Sequence, residues 1–342
     1  MIRRLVLAAA LASWLLAPLP AGAQAPAAPV QAALNWLRTQ QQPDGGFSNG
    51  FAPGSDPGAT ADAVLAIVAA GGKPSEWTLG GNTPLDALQA GLDASAVQGA
   101  GAFAKLALAA RAAGLDVRSF SGIDLTARIL EDYSAGTGLF GGGPFDSALA
   151  IQALVAGDTD LPDGAIDGLL AARLPDGTYA FNGDLTPGAG DSNTTAAAVM
   201  ALLAAGEQQA TAPSLDYFRA AQNDDGGWTY QKPSAFGEAT DANSTALVMQ
   251  ALLATGEDLS AWNDPASALL ALQQSSGAFA FNVDAPADNL LATVQAIPAL
   301  AMVSDDVDSG GSSTPWTAIG AGAAVIVLLA VLAATVLRRR SP

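Results

Sequence analysis

The chain has 342 residues, with 32 Asp or Glu against 14 Lys or Arg, a formal net charge of −18, and neither cysteine nor histidine. The missing cysteine excludes disulfides and thiol chemistry, and the missing histidine removes the commonest general base and transition-metal ligand. Five of the basic residues stand at the two ends, so the part between them carries −23, a surface that repels nucleic acid and leaves cations, neutral molecules and basic partners.

Residues 1–23 pair Arg3 and Arg4 with an apolar run from Leu5 to Leu19 and small-residue cleavage patterns around Ala21-Gly22-Ala23, the composition of a secretory signal. From residue 26 onward the sequence repeats itself. "LRTQQQPDGGFSNG" (37–50), "EDYSAGTGLFGGG" (131–143), "LLAARLPDGTYAFNGD" (169–184), "FRAAQNDDGGWTY" (218–230) and "LLALQQSSGAFAFNVD" (269–284) share a helix end, a glycine turn and an aromatic residue. Taking Gly45, Gly138, Gly177, Gly226 and Gly277 as equivalent gives steps of 93, 39, 49 and 51 residues, and the doubled first step places a degenerate unit near Gly91. Six units of about 46 residues result.

Each unit holds two helices of different character. The helix before the turn carries a charged stripe, as with Asp124, Arg128 and Glu131 or Asp216 and Arg219. The helix after it is uncharged through most of its length, as in "DSNTTAAAVMALLAAG" (191–206) and "DANSTALVMQALLATG" (241–256). A helix apolar on all sides must be surrounded, whereas a striped one faces water. Alternation of the two predicts an all-α (α/α)6 toroid over residues 26–302, with an inner ring of helices inside an outer one. An open solenoid would expose a row of apolar helices or need polar end caps.

Beyond this, residues 303–315 read as a flexible stalk rich in Gly, Ser and Asp. Residues 316–337 carry no charge and are long enough to span a bilayer. Arg338, Arg339 and Arg340 follow, so residues 338–342 are expected in the cytoplasm and the toroid outside the cell membrane.

The combination Gln41, Asp44, Gly45, Gly46, Phe47, seen again as Gln222, Asp225, Gly226, Gly227, Trp228, resembles the QW-type repeat of the prenyltransferase and squalene oxidase repeat family. That resemblance implies the α/α toroid of the terpenoid cyclases and protein prenyltransferases, which also carries the cobalamin-binding domain of transcobalamin and intrinsic factor. It implies an isoprenoid or a cobalamin-like molecule as ligand. The family's zinc site uses Asp, Cys and His and has no counterpart here. Gly206-Glu207-Gln208 lacks the cysteine of a thioester domain. The Asp-x-Asp-Asp acid of class II terpene cyclases is absent, its nearest string being "SDDVDS" at 304–309. The cobalamin-binding relatives bring no catalytic residue, but they close a second domain over the ligand, for which this chain leaves no room.

The polar residues at the starts of the inner helices are Asp56 and Asp62, Asp146, Asp191 with Asn193, Asp241 with Asn243, and Asp288 with Asn289. One reading makes them helix caps, accepting from free N–H groups and opposing the helix dipole. The other makes them a ring of acids and amides around one mouth of the toroid, able to receive a cation, a sugar or a polar ligand group. No spacing singles out a carboxylate pair for glycoside hydrolysis. Among the turn aromatics, Phe47, Tyr179, Trp228 and Phe279 read as packing groups. Phe181, Tyr230 and Phe281, two residues further on, are candidates for the cavity, because residues two apart on an extended segment share a face. Asp44, Asp176 and Asp225 fit Asx bonds that shape the turns. The sequence therefore points to a membrane-anchored extracytoplasmic ligand-binding or interaction module without recognised catalytic machinery, whose small-molecule or protein ligand it does not name. A cyclase-like enzyme with a displaced acid and a structural surface domain stand as alternatives.

Overall fold

A computed structural model describes residues 27–51, 53–234 and 237–308. The signal segment, residues 316–337 and the tail lie outside the described residues. Among the described residues no helix is long and apolar enough to cross a membrane.

The described chain is mainly helical. Six helices, α2 (Pro57–Ala69), α4 (Ala100–Ala112), α6 (Pro144–Ala156), α8 (Ser192–Ala204), α10 (Ala242–Thr255) and α12 (Leu290–Asp308), pack in that order, and α12 packs back on α2 to close a ring. Outside them lie α1 (Ala28–Thr39), α3 (Pro84–Asp93), α5 (Leu125–Leu130), α7 (Ala165–Ala171), α9 (Ala212–Ala221) and α11 (Pro265–Leu270), each against the inner helix that precedes it around the ring, which for α1 is α12. The uncharged runs 191–206 and 241–256 supply α8 and α10 of the inner ring, where Thr195, Ala196, Val199, Ala246, Val248 and Met249 are wholly buried. Side-chain amides stitch neighbours together: Gln152 donates to the Ala197 carbonyl at 3.2 Å, and Gln250 to that of Gln295 at 3.4 Å.

The turn motif joins one outer helix to the next. Gln222 donates through Nε2 to the carbonyls of Gly226 and Trp262, and Gln41 does the same for Gly45 and Trp77 at 2.9 Å each. Gln273 bonds Gly277 at 3.0 Å and Pro29 at 2.9 Å, which ties the sixth unit to the first and completes the circle. Gly226 has φ +94° and lies directly against the Asn263 carbonyl, so a side chain there would be both strained and obstructed. The aspartates before the turns make the expected Asx bonds: Gly46, Thr178 and Gly227 donate to Asp44, Asp176 and Asp225 at 3.0 to 3.1 Å.

A second repeated bond, not read from the sequence, locks the aromatic of each turn to its inner helix. The main-chain N–H groups of Phe47, Phe140, Tyr179, Trp228 and Phe279 donate to hydroxyls of Thr60, Ser147, Thr195, Thr245 and Thr293 at 2.8 to 3.0 Å. Unit two is the exception and matches the degenerate unit placed near Gly91. Its turn runs through Ser95 at φ 56° and seats Val97 where the others hold an aromatic ring. An open cavity of about 490 Å³ lies beside this unit, lined by Leu92, Val97, Gln98, Phe103 and Arg128 among others.

Two features differ from the sequence reading. The chain contains two short antiparallel hairpins, β1 (Tyr133–Ser134) with β2 (Leu139–Phe140) and β3 (Phe279–Asn282) with β4 (Ala285–Asn289), so it is not purely helical. Helix α12 also continues to Asp308, six residues into the segment read as a stalk from residue 303.

Candidate functional site at the mouth of the ring

The six inner helices run parallel: Asp62 meets Lys105 and Gly101 lies against Asp146 in the first two turns of α2, α4 and α6, and the later post-turn segments touch the start of the preceding inner helix. Ser192 N–H donates to the Tyr230 carbonyl at 2.8 Å, Asp241 bridges to Asn282, and Gly143 lies against Phe181 and Asn182. All six N-termini therefore open at one end of the ring, and most of the residues singled out in the sequence gather there.

Asp56 caps α2 by accepting from Ala59 N–H at 2.8 Å, and Asn289 caps α12 through Ala292 N–H at 2.9 Å. Asp62 stands in the second turn of α2, in the row Asp62, Leu65, Ala69 that keeps some solvent access along the ring axis, and pairs with Lys105 Nζ of α4 at 3.0 Å. Asp146 is not a cap: Gly143 holds that position, and Asp146 accepts from Gly142 N–H at 2.8 Å from within the first turn. Asp288 does not face the mouth either. It lies on β4, accepts from Trp36 Nε1 at 3.0 Å and Ser276 Oγ at 2.8 Å, and latches the turn as Thr240 does when it donates to Asp225 at 2.6 Å. Asn243 is buried and donates to Gln295 Oε1 at 2.7 Å, linking α10 to α12.

Asp191 and Asp241 are equivalent caps with different fates. Asp241 is saturated: Oδ1 accepts from Ser244 N–H at 2.7 Å and Oδ2 from Ser244 Oγ at 2.9 Å. Burial nevertheless pushes its carboxyl up to about 6. Asp191, only 1% exposed, accepts at Oδ1 from Thr194 N–H at 2.7 Å while Oδ2 has no hydrogen-bond partner. Burial raises its pKa as well, opposed by the nearby Thr194 and Tyr230. The Tyr230 phenol and the Thr194 hydroxyl thus act on this carboxyl without closing a bond to Oδ2. Thr194 Oγ1 and Asn193 Oδ1 are also unpartnered, so one helical turn presents three unused oxygens. Tyr217 approaches from α9, its hydroxyl 3.2 Å from Ser192 Oγ, and burial followed by the Asp191 charge raises both Tyr217 and Tyr230. Leaving buried polar atoms unpaired costs on the order of 1–3 kcal/mol each, so among the described residues this turn is the place at the mouth that is built short of partners.

The aromatic pairs do not share a face. Tyr179, Trp228 and Phe279 are fully buried towards the outer layer, where Trp228 Nε1 donates to Phe218 O at 2.8 Å. Phe181, Tyr230 and Phe281 are 56%, 44% and 38% exposed at the mouth. In unit six the strand is irregular between Ala280 and Asn282, and in units four and five the segment is not a strand, so the strict alternation of an extended chain does not hold. Tyr179, whose hydroxyl is unpartnered, stands beside Arg173 in the outer layer and is pushed up to about 12 by burial.

Fold and mouth define a toroid of paired helices with a polar opening at one end. No family model and no curated protein matches the sequence. Among solved structures, the chain is similar to a protein from Actinoplanes (16% identity, TM-score 0.61, covering 81% of this chain and 98% of that one). It is also similar to the type II terpene cyclase MstE from Scytonema (14%, 0.58, 81% and 97%) and to haptocorrin in complex with Cbi (13%, 0.52, 80% and 65%). A variant of the cyclase has been captured with geranylgeranyl dihydroxybenzoate as substrate. At these identities the likeness is one of fold.

Proposed function

We propose that the chain is a membrane-anchored extracytoplasmic binding module whose ligand is a small molecule rich in hydrogen-bond donors, such as an amine or a polyol, seated at the mouth over Asp191, Asn193 and Tyr230. The observation that carries this reading is the run of unpartnered oxygens on the first turn of α8, Asp191 Oδ2, Asn193 Oδ1 and Thr194 Oγ1. Three acceptors in one turn ask for donors, and the net charge of −18 favours neutral or cationic ligands over anions. The half-exposed Tyr230 ring offers an apolar or cation-attracting wall beside them. Anchoring through residues 316–337 would leave the mouth facing away from the membrane, because α12 begins at the mouth and ends at the opposite side of the ring. The test is calorimetric titration of the full chain with a panel of amines and polyols. Saturable binding should disappear in Asp191→Asn with little change in melting, and binding that survives this change would sink the reading. For the anchor, a reporter fused after Pro342 should be cytoplasmic while residues 27–308 are open to external protease.

A second reading rests on the raised pKa values of Asp191 and Asp241. Burial shifts both carboxyls towards the protonated form, the form in which a general acid acts. Turnover of a polyprenyl substrate that vanishes in Asp191→Asn would favour this reading. Binding without turnover would favour the first, and neither would leave a structural domain.

A further inference from the structure

The segments between turn aromatic and inner helix are unequal. They are short in unit two (97–99) and unit three (140–143), and long in unit four (179–191), unit five (228–241), unit six (279–289) and unit one (47–56). Because the ring is closed, the four long segments follow one another around it, in units four, five, six and one, and the two short ones adjoin in units two and three. These same four segments hold most of the large apolar side chains that the described residues expose. Phe181 and Leu185 are 56% and 59% exposed on unit four, Tyr230 44% on unit five, Phe281 and Val283 38% and 68% on unit six, and Phe51 96% on unit one. Large exposed apolar groups gathered on one face mark an interaction surface, whereas scattered single ones do not.

Charge says what fits there. The four segments also carry the exposed Asp184, Glu238 and Asp284, with the partly exposed Asp56 at the start of α2. The opposing cation of these loops is Lys232, and it is drawn to Asn223 Oδ1 at 2.8 Å on the outer layer. An acidic mouth walled by apolar side chains is complementary to a chain that alternates basic and apolar groups, and it repels anionic lipid and acidic polypeptide alike.

We infer that the walled mouth is a docking surface for a basic, apolar-rich polypeptide segment, which enters over the short segments of units two and three, lays its apolar side chains on the wall and turns its Lys or Arg groups towards the carboxylates. This deepens the reading of the mouth as the binding end, but it rests on different residues, since Phe181, Leu185 and Val283 are not part of the Asp191 pocket. The same elements explain why the wall is made of segments and not of helix ends: only these vary in length without disturbing the ring.

The experiment uses the full chain in nanodiscs of zwitterionic lipid, with empty nanodiscs as the blank. The probes are fluorescent peptides alternating Leu with Lys, with Glu or with Ser. The Lys peptide should bind at least about tenfold more tightly than either of the others, and its affinity should fall several-fold as salt rises from ~0.05 to ~0.3 M. Leu185→Ser combined with Val283→Ser should weaken it by about tenfold without lowering melting, because both side chains are more than half exposed. Equal affinity for the three peptides, or no loss in the double variant, overturns the inference. Asp191→Asn separates the two proposals: it should abolish capture of a small amine or polyol while leaving the peptide bound. If the Lys peptide fails and the small ligand still binds, only the docking surface falls. If the peptide binds and no small ligand does, only the pocket falls.

Discussion

The indole Nε1 of Trp228 donates to the main-chain oxygen of Phe218, 2.8 Å away, and so ties the turn of unit five to the end of its own outer helix. The ring is fully buried and packs at 6.1 Å from Trp262, which in turn lies under the Arg219 guanidinium at 4.1 Å. Trp228→Ala empties that contact set and should cost about 3–5 kcal/mol in urea unfolding. Trp228→Phe keeps the packing and loses one bond, so it should cost about 1–2 kcal/mol. Near-equal losses in the two would show that the bond, and not the ring, holds the turn.

Thr245 accepts from Trp228 N–H at 3.0 Å inside the core, where no water reaches. Thr245→Val removes the acceptor at nearly constant volume and should destabilise by about 1–3 kcal/mol. Thr245→Ser keeps the hydroxyl and should recover at least half of that loss. The equivalent pair Thr195 and Tyr179 should respond alike, which would confirm a repeated device in place of a local one.

Asp241 provides a pH test. Its carboxyl is raised from 3.8 to about 6, chiefly by burial, so the folded protein holds the proton over a range in which the unfolded chain has released it. Stability from this group is complete below about pH 4 and is lost as pH rises through about 6, by about 2–3 kcal/mol in all. Asp241→Asn keeps the cap without the titration. Unfolding measured between those limits and neutrality should fall for the natural chain by that amount more than for the variant. An identical pH slope in both would mean that Asp241 is ionised in the fold throughout.

The Lys105 and Asp62 pair lies 3.0 Å apart on the axis side of α2 and α4, with side chains 28% and 15% exposed. Such a pair falls between exposed and buried ones. Lys105→Met alone should cost about 1–2 kcal/mol, because it strands Asp62. Adding Asp62→Leu should restore most of the loss in a double-mutant cycle. Strict additivity of the two changes would show that the ion pair contributes nothing to the ring.

How much of this was legible follows from the range of the interactions. The inner helices were readable because apolarity on every side is a property of a single segment, and the Gln, Gly and aromatic turns because each repeats at short spacing. Asp44, Asp176 and Asp225 were readable for the same reason, their partners lying two residues away. Asp288 was misplaced because its partner Trp36 lies 252 residues distant, across the closure of the ring. An acid near a helix start has the same sequence appearance at the cap and in the first turn, so the sequence does not place Asp146 in one or the other. The difference between Asp191 and Asp241 turns on whether Ser244 or Thr194 reaches back to Oδ2, and no pattern of residue types encodes that rotamer.

Closure of the ring also limits how such a protein can diverge. An open array tolerates a unit gained or lost, since its ends are free. Here each unit turns the chain through about 60°, and the bond from Gln273 to the Pro29 carbonyl forms only if the count returns the chain to its start. Duplication or deletion of a unit would leave α12 and α2 misaligned. Length can therefore vary only in the mouth segments, where unit three makes the connection with residues 140–143 and unit four with 179–191.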